Sequence, residues 1–339
     1  CNGVTMNTTL ADLARITGLS KSTISGVLNN KSGFSEKTRK KVLEAAKKYG
    51  YVPNEIAQGL SSKLTKSIGL IIKDITNPFY NHITKGVQEV AGEHGYTVFL
   101  CSSWEDHRIE IEHVQAMVRK RVDGLIIAPL LEEVSFDHIF ELKKKSLPLV
   151  LLGKIPGLEC DTVEFDDYGG GKQVTEYLLS EGHVRIGFVC GPKTSKASKQ
   201  RFTAFIDTMK EHNIPVDERF IYREARSVAD GMEIGRRLAT SERPTAVICF
   251  DDLIAIGVVK ALLQAGLKVP DDLSVVGFDD IESNIFPLTT VSIPTYEAGK
   301  ALAYILFDRI FQRRFSRFQH VTFEQKLVLR NSVKRISRN

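Results

Sequence analysis

The chain has 339 residues, of which 42% are hydrophobic, and a formal net charge of +5. This length predicts two or three domains with apolar cores. The five cysteines show no metal-ligand spacing, and we find neither a secretory signal nor an apolar run that could cross a membrane. We therefore expect a soluble cytoplasmic protein without a metal site or a cofactor, and no membrane partner.

The positive charge lies in the first fifth of the chain. Residues 1–67 contain 11 Lys and Arg against 4 Asp and Glu, whereas residues 68–339 carry a net charge of −2. A polyanion that binds this first part is the simplest physical explanation.

Residues 9–28 have the pattern of a helix-turn-helix. Apolar side chains recur at helical spacing in the first helix, at Leu10, Leu13, Ala14 and Ile16. Gly18 ends that helix, and Ser20 is placed to cap the second one. The second helix turns Ile24, Val27 and Leu28 inward. It leaves outside the side chains that can reach phosphates and base edges in the major groove of DNA, namely Lys21, Ser22, Thr23 and Ser25. The alternative is an αα-hairpin within a helical bundle.

A third helix is predicted to begin after Ser35 and to run to Tyr49, followed by Gly50. Its inward residues are expected to be Val42, Leu43, Ala45 and Ala46. Tyr51–Asn54 then interrupts the helical pattern. A short segment, Glu55–Lys63, and a polar link, Leu64–Ser67, follow.

From Ser67 onward, short apolar runs alternate with amphipathic helices. The predicted strands are Ile68–Ile72, Thr97–Cys101, Gly124–Ala128, Leu149–Leu152, Thr162–Phe165, Ile186–Val189, Ala246–Cys249 and Ser274–Gly277. Repeated β–α units of this kind predict two doubly wound α/β subdomains with parallel sheets. In that architecture ligands bind at the carboxyl ends of the strands, here between the two halves.

An enzyme is the main alternative to a binding protein. Gly169–Lys172 lacks the spacing and the Ser or Thr of a phosphate-binding loop, and no nucleophile motif or paired-histidine metal motif is present. We interpret His107, His113 and His183 as surface or packing residues. We therefore expect that the chain is not an enzyme.

Several motifs occur in fixed order along the chain: Thr9–Ala14, Gly18–Ser20, Thr23–Ser25, Tyr51–Asn54, Ile68–Ile71, Asn77–Tyr80, Val122–Ile126, Gly182–His183, Asp251–Asp252, Ser274–Asp280 and Pro287–Val291. With them, the chain resembles the LacI/GalR family of bacterial transcription regulators from Thr9 to about Ser332. This resemblance implies a homodimer that binds a pseudo-palindromic operator and is controlled by a small molecule. It also implies that a core like that of periplasmic binding proteins follows the DNA-binding head.

The resemblance implies a division of the chain. We expect a disordered tail over residues 1–8, the head over 9–51, a hinge helix and linker over 52–67, and the core over 68–339. Within the core, the N-subdomain is expected at about 68–165 and 295–325, and the C-subdomain at about 166–294 and 326–336. The residues expected to contact DNA are Thr9, Leu10, Ser20, Lys21, Ser22, Thr23, Ser25, Asn29, Asn54, Ala57 and Leu60. Leu60 would wedge into the minor groove, whereas Gly26 stands where a base-reading side chain is common in the family.

The resemblance also implies an effector cleft. Asn77, Phe79 and Tyr80 would contact the ligand ring, while Arg201, Asp251 and Asp279 would bind its hydroxyls. Lys154 and Arg226 depart from the family pattern, and with them we expect a more cationic cleft. This predicts a sugar or sugar derivative, larger than a pentose or anionic, as the effector of an allosteric repressor. A purine corepressor or a protein coeffector is the alternative.

Overall fold

The computed structural model describes residues 8–28, 31–51, 64–131, 135–239, 242–281, 286–312 and 317–337. The chain forms two compact units that divide between Thr65 and Lys66. None of the helices in these ranges is long and apolar enough to cross a membrane.

In its described residues, the first unit has three helices: α1 (Leu10–Thr17), α2 (Lys21–Leu28) and α3 (Glu36–Lys48). They pack around Leu13, Ile24, Val27 and Val42. Gly18 ends α1 with a φ of 67°, and the Ser20 hydroxyl accepts a hydrogen bond from the Thr23 amide at 3.0 Å. The predicted helix-turn-helix is therefore confirmed, together with its turn residue and its cap.

One apolar residue of this unit was assigned to the wrong face. Leu43 was expected to point inward, but its side chain is exposed. Each helix of this small unit buries a narrow stripe, and in α3 that stripe contains Val42, which was also predicted to point inward.

The first sheet of the second unit has six parallel strands. They are β1 (Ser67–Ile72), β2 (Thr97–Ser102), β3 (Gly124–Ile127), β4 (Leu149–Leu152), β5 (Asp161–Phe165) and β11 (His320–Phe323). Their order across the sheet is β11-β5-β4-β3-β1-β2. Every residue of β1 is buried, which is typical of a parallel strand covered on both faces.

Helices cover both faces of this sheet because successive side chains of a strand point to opposite sides. Ile68, Leu70 and Ile72 pack against α4 (Phe79–Glu93) and α11 (Thr295–Ile310). Ile71 packs on the other side, against α5 (His107–Lys120) and α6 (Asp137–Lys144).

The second sheet has four parallel strands: β6 (Ile186–Val189), β7 (Ile221–Tyr222), β8 (Ala246–Cys249) and β9 (Ser274–Val276). Their order across the sheet is β7-β6-β8-β9. Helices α7 (Asp167–Ser180) and α8 (Lys196–Glu211) pack on one face, and α9 (Val228–Leu238) and α10 (Asp252–Gln264) pack on the other. A separate antiparallel pair joins β10 (Thr290–Ser292) to β12 (Lys326–Val328).

All eight predicted strands and the predicted fold class are confirmed. Strands β7, β10, β11 and β12 were not predicted. They have two to four residues each, and β7 and β11 lie at sheet edges. Short edge strands lack the continuous apolar run that identified the buried strands, so the local sequence carries little signal for them.

Candidate effector cleft and DNA-binding head

A cleft of about 680 Å³ lies where the carboxyl ends of both sheets meet. This volume falls within the range of pockets that hold small molecules, roughly 300–1,000 Å³. Asn77 follows β1, Glu105 follows β2 and Leu130 follows β3, whereas Arg226 and Asp279 follow β7 and β9. The cleft therefore occupies the position at which doubly wound folds bind ligands.

The wall formed by the first sheet is rich in aromatic side chains. The Phe79 ring contacts Tyr80 edge-on at a centroid distance of 5.1 Å and Phe165 at 5.8 Å. The Asn77 carboxamide oxygen accepts a hydrogen bond from the Phe79 amide at 3.0 Å and shapes the turn that begins α4. Asn77 thus positions the aromatic pair and lines the cleft as well.

Trp104 and Glu105 extend this wall at its solvent-exposed rim. Both residues have left-handed backbone conformations, with φ values of 52° and 56°, which are uncommon for residues other than glycine. Trp104 is 54% exposed and lines the cleft, and it is the only tryptophan in the chain. Its fluorescence therefore reports on this site alone.

The wall formed by the second sheet is built around the buried side chain of Arg201. The carboxylate of Asp167 accepts hydrogen bonds from Arg201 Nε at 3.0 Å and from Nη2 at 2.8 Å. Arg201 Nη1 donates to the Phe250 carbonyl at 2.7 Å, and the guanidinium lies over the Phe278 ring at 4.3 Å. These bonds fix the guanidinium plane, so it meets a ligand with little further loss of conformational entropy.

Two further carboxylates of this wall have raised pKa values. Burial raises the pKa of Asp251 to about 6 and that of Asp279 to about 7, although Arg201 opposes both shifts. Asp251 also caps α10 by accepting a hydrogen bond from the Ile254 amide at 2.8 Å. Asp279 Oδ1 lies 3.7 Å from Arg201 Nη2. Both groups change protonation near neutral pH, where a ligand hydroxyl can either donate to them or accept from them.

Two ion pairs bridge the walls. Arg226 Nη1 lies 2.8 Å from Glu105 Oε2, and Lys196 Nζ contacts Glu164 Oε1. In each pair the cation belongs to the second sheet's half and the carboxylate to the first. The pairs therefore form only when the two walls are close together.

Seven of the eight residues predicted to bind the effector line the cleft: Asn77, Phe79, Tyr80, Arg201, Arg226, Asp251 and Asp279. Lys154 does not. The preceding Gly153 has a φ of 112°, and the Lys154 side chain is exposed outside the lining.

Of the two basic residues behind the expectation of a more cationic cleft, Lys154 lies outside the lining and Arg226 is paired with Glu105. Among the described residues, six carboxylates line the cleft against four cations. The carboxylates are Asp74, Glu105, Glu164, Asp167, Asp251 and Asp279, and the cations are Lys73, Lys196, Arg201 and Arg226. Because Glu105 already neutralises Arg226, the departures at positions 154 and 226 supply no positive charge for an anionic ligand.

Sequence reasoning missed Trp104, Glu105, Asp167 and Lys196. Trp104 and Glu105 directly follow a predicted strand, so the rule that selected Asn77 could have selected them too. Asp167 and Lys196 are placed by their contacts with Arg201 and Glu164. Those contacts join residues far apart in the sequence, and no local pattern records them.

In the head, the predicted DNA contacts cluster around the start of α2. The Ser20 hydroxyl lies 2.7 Å from that of Ser22 and 2.8 Å from that of Thr23, and Lys21 is exposed beside them. Leu10 and Ser25 are half-buried. Thr9 forms a capping box with Asp12 at the start of α1. Asn29, Asn54, Ala57 and Leu60 lie outside the described residues.

Gly26 is buried in α2 and faces Phe34. A Cβ atom at this position would lie 2.5 Å from the Phe34 ring. Glycine therefore has a packing role here in addition to making no base contact, because a side chain could enter only if the ring moved.

Comparison with known proteins agrees with both units. Residues 9–54 match the lacI family of bacterial regulatory proteins, and residues 175–333 match a periplasmic binding protein-like domain. The chain is 34% identical over 333 residues to the HTH-type transcriptional regulator DegA of Bacillus subtilis (strain 168), which covers 97% of this chain and 98% of that protein. It is 32% identical over 335 residues to the HTH-type transcriptional repressor PurR of Haemophilus influenzae (strain PittEE), which covers 97% and 99%.

Solved structures give the same result. The lac repressor dimer bound to operator and the anti-inducer ONPF matches with a TM-score of 0.85 and 26% identity, over 97% of this chain and 99% of that one. A LacI family transcriptional regulator from Enterococcus faecium with bound ribose matches with a TM-score of 0.73 and 30% identity, over 80% and 100%. The relatives are regulators, which confirms the expectation that the chain is not an enzyme. The chain belongs to the LacI family of bacterial DNA-binding transcriptional regulators.

Proposed function

We propose that the chain is a homodimeric repressor that binds a pseudo-palindromic operator and is controlled by a neutral sugar or sugar derivative in the cleft. The observation that carries this proposal is the pairing of an aromatic wall with a fixed wall of Arg201, Asp251 and Asp279. The ribose-bound structure of the Enterococcus faecium regulator supports it by similarity.

Sugar chemistry fits the two walls. The C–H face of a sugar ring packs on aromatic side chains such as Phe79, and its hydroxyls bond to planar charged groups. Arg201 has five N–H groups, and its bonds to Asp167 and Phe250 use three of them. Among the contacts of the described residues, up to two N–H groups of Arg201 are therefore left to bond with a ligand. A purine could also stack on the aromatic wall, but it offers fewer hydroxyls to the carboxylates.

Control of DNA binding follows from linkage. A ligand shifts operator affinity only by the ratio of its affinities for the two conformations that bind DNA differently. The cross-wall pairs of Arg226 with Glu105 and of Lys196 with Glu164 favour a closed cleft, so a ligand that contacts both walls stabilises the same state. This mechanism accommodates a ligand that releases the chain from DNA as well as a ligand that makes the chain bind DNA more tightly.

The effector is identified by titrating the full-length chain while Trp104 fluorescence is recorded. The panel contains neutral monosaccharides and disaccharides, sugar acids, phosphosugars and purines. We expect a saturable change with a neutral sugar, and a higher unfolding midpoint, because a ligand at 100 times its Kd adds about 2.7 kcal/mol. Saturation by a purine alone would overturn the sugar assignment.

The DNA-binding part is tested with genomic fragments selected on the full-length protein. Light scattering should give two chains per fragment, and footprints should show two half-sites. Lys21→Ala should weaken binding and reduce the slope of log affinity against log salt by about one, because one phosphate contact is lost. Lys260→Ala removes an exposed lysine of the core and should leave the slope unchanged. Equal slopes for all three proteins would contradict the assignment of Lys21.

A further inference from the structure

Three side chains that the effector site does not use form a cluster beneath the first sheet. His107 and Glu110 lie in α5, one helical turn apart, and His138 lies in α6. One possible metal-ligand atom from each of the three residues lies within 4.8 Å of the other two. The spacing of His107 and Glu110 puts both on one face of α5, and the packing of α6 against α5 brings the third group to them.

Glu110 is the centre of the cluster. Its side chain is fully buried. Oε1 accepts a hydrogen bond from His138 Nε2 at 2.8 Å, and Oε2 accepts one from the Leu130 amide at 2.9 Å. A buried carboxylate needs such partners or a cation. Leu130 also lines the effector cleft, so the cluster adjoins that site.

The two histidines each leave one buried ring nitrogen without a partner. The rings of His107 and His138 meet edge-to-face with a centroid distance of 5.1 Å. Nδ1 of each ring is buried and has no hydrogen-bond partner among the described residues. Because His138 Nε2 donates to the carboxylate, the neutral ring carries its lone pair on Nδ1. A buried lone pair with no donor facing it is an unmet ligand for a cation.

We propose that His107, Glu110 and His138 form a binding site for a late first-row divalent cation such as Zn²⁺. Two imidazoles and one carboxylate are ligand types that this ion prefers, and three protein ligands leave one coordination position for water. With bonds of about 2.0–2.2 Å, tetrahedral Zn²⁺ needs ligand atoms separated by roughly 3.4 Å. One ligand atom of each residue lies within 4.8 Å of the other two, so small side-chain movements bring the three groups to that separation.

This site could not be recognised from the sequence alone. His107 and Glu110 are close in the chain, but two such residues in a helix are common on solvated faces. His138 follows 28 residues after Glu110, beyond the spacing of the usual zinc motifs. Only the packing of α6 on α5 completes the set of ligands.

The test uses the full-length chain after treatment with a chelator, titrated with ZnCl₂ and with CoCl₂. We expect one equivalent of Zn²⁺ to bind and Co²⁺ to give the intense visible absorption of a four-coordinate ion. His107→Gln is the informative variant, because no side-chain hydrogen bond of His107 is lost with it in the described structure. This variant should lower the Zn²⁺ affinity at least about tenfold, because even the loss of a residue that only hydrogen-bonds to a metal ligand typically has that effect. Its unfolding midpoint without metal should be the same as that of the unchanged chain.

His113→Gln is the matched control. His113 also lies in α5, and its Nε2 contacts the Ser102 carbonyl rather than the cluster. It should bind Zn²⁺ as the unchanged chain does. The proposal is overturned if the unchanged chain binds no Zn²⁺, or if His107→Gln and the unchanged chain bind it with equal affinity.

Discussion

The two walls of the cleft are built on different principles. The first-sheet wall presents aromatic rings that touch one another at their edges, and Trp104 at its rim is largely open to solvent. The second-sheet wall presents Arg201, which is buried and already bonded to Asp167 and the Phe250 carbonyl. The aromatic wall can adapt to ligands of different outline, whereas the ionic wall is fixed before a ligand arrives. We infer that the ionic wall sets specificity and that it also contributes more to the stability of the fold.

Replacing Arg201 should have the largest effect. Arg201→Met leaves Asp167 and Asp279 as buried carboxylates without their cation, and breaking a buried ion pair in this way costs about 3–5 kcal/mol. Urea unfolding of the core should show this loss. Arg219→Ala is the control, because Arg219 pairs with Asp217 and Glu242 at an exposed site and its loss should cost much less stability. Similar losses of unfolding free energy for the two variants would mean that the second-sheet wall contributes no more to stability than an exposed ion pair does.

The pH dependence of stability should also separate the walls. Burial raises the pKa of Asp279 from its ordinary value of 3.8 to about 7. Between these values the folded chain binds more protons than the unfolded chain, so the free energy of unfolding falls as pH rises from about 4 to about 7. Asp279→Asn should remove about 1–3 kcal/mol of this fall. Unfolding curves at several pH values that remain parallel for the two proteins would contradict the raised pKa.

The aromatic wall should tolerate substitution better. Phe79→Leu keeps an apolar side chain and loses two edge contacts, so we expect a loss of about 1–2 kcal/mol in unfolding free energy. Effector affinity should fall as well, since the ring face is removed. Phe205→Leu, in the fully buried core around α8, serves as a control that changes stability without changing ligand affinity. If Phe79→Leu lost as much unfolding free energy as Arg201→Met, the proposed difference in stability between the two walls would be contradicted.

The ion pairs between the walls should have the smallest effect. Arg226 and Glu105 are 45% and 39% exposed, and a double-mutant cycle on such a pair typically gives about 0.2–1 kcal/mol. Because this pair spans the cleft, its loss should also weaken effector binding by up to about fivefold. Arg236 and Glu233 form an exposed pair within α9, and their removal should leave effector affinity unchanged. An equal effect of both pairs on the effector would argue against the bridging role.

Regular and local features of the molecule could be predicted from the sequence. The buried parallel strands carry continuous apolar runs, and Gly18 and Ser20 carry the turn and the cap of the head. The errors arose where tertiary packing decides the outcome. Leu43 lies one position away from the buried Val42, and Lys154 lies outside the lining of the cleft.

The charge of the cleft could not be predicted for a similar reason. Arg226 was read as a free cation, but Glu105 pairs with it from 121 residues away in the sequence. Asp167, the first residue of α7, pairs with Arg201 in α8. The cluster of His107, Glu110 and His138 forms because α6 lies against α5. These groups are ordinary in their local sequence, and only the fold brings each of them to its partner.

Coupling between the cleft and DNA is tested most directly by measuring operator affinity with and without the sugar that saturates the change in Trp104 fluorescence. The full-length chain should change its operator affinity by about 5- to 150-fold when the sugar binds, which corresponds to a coupling of about 1–3 kcal/mol. Phe79→Leu should bind the operator equally well without ligand and need more sugar to reach the same change. A sugar that saturates the cleft and leaves operator affinity unchanged would contradict the coupling between the cleft and DNA binding.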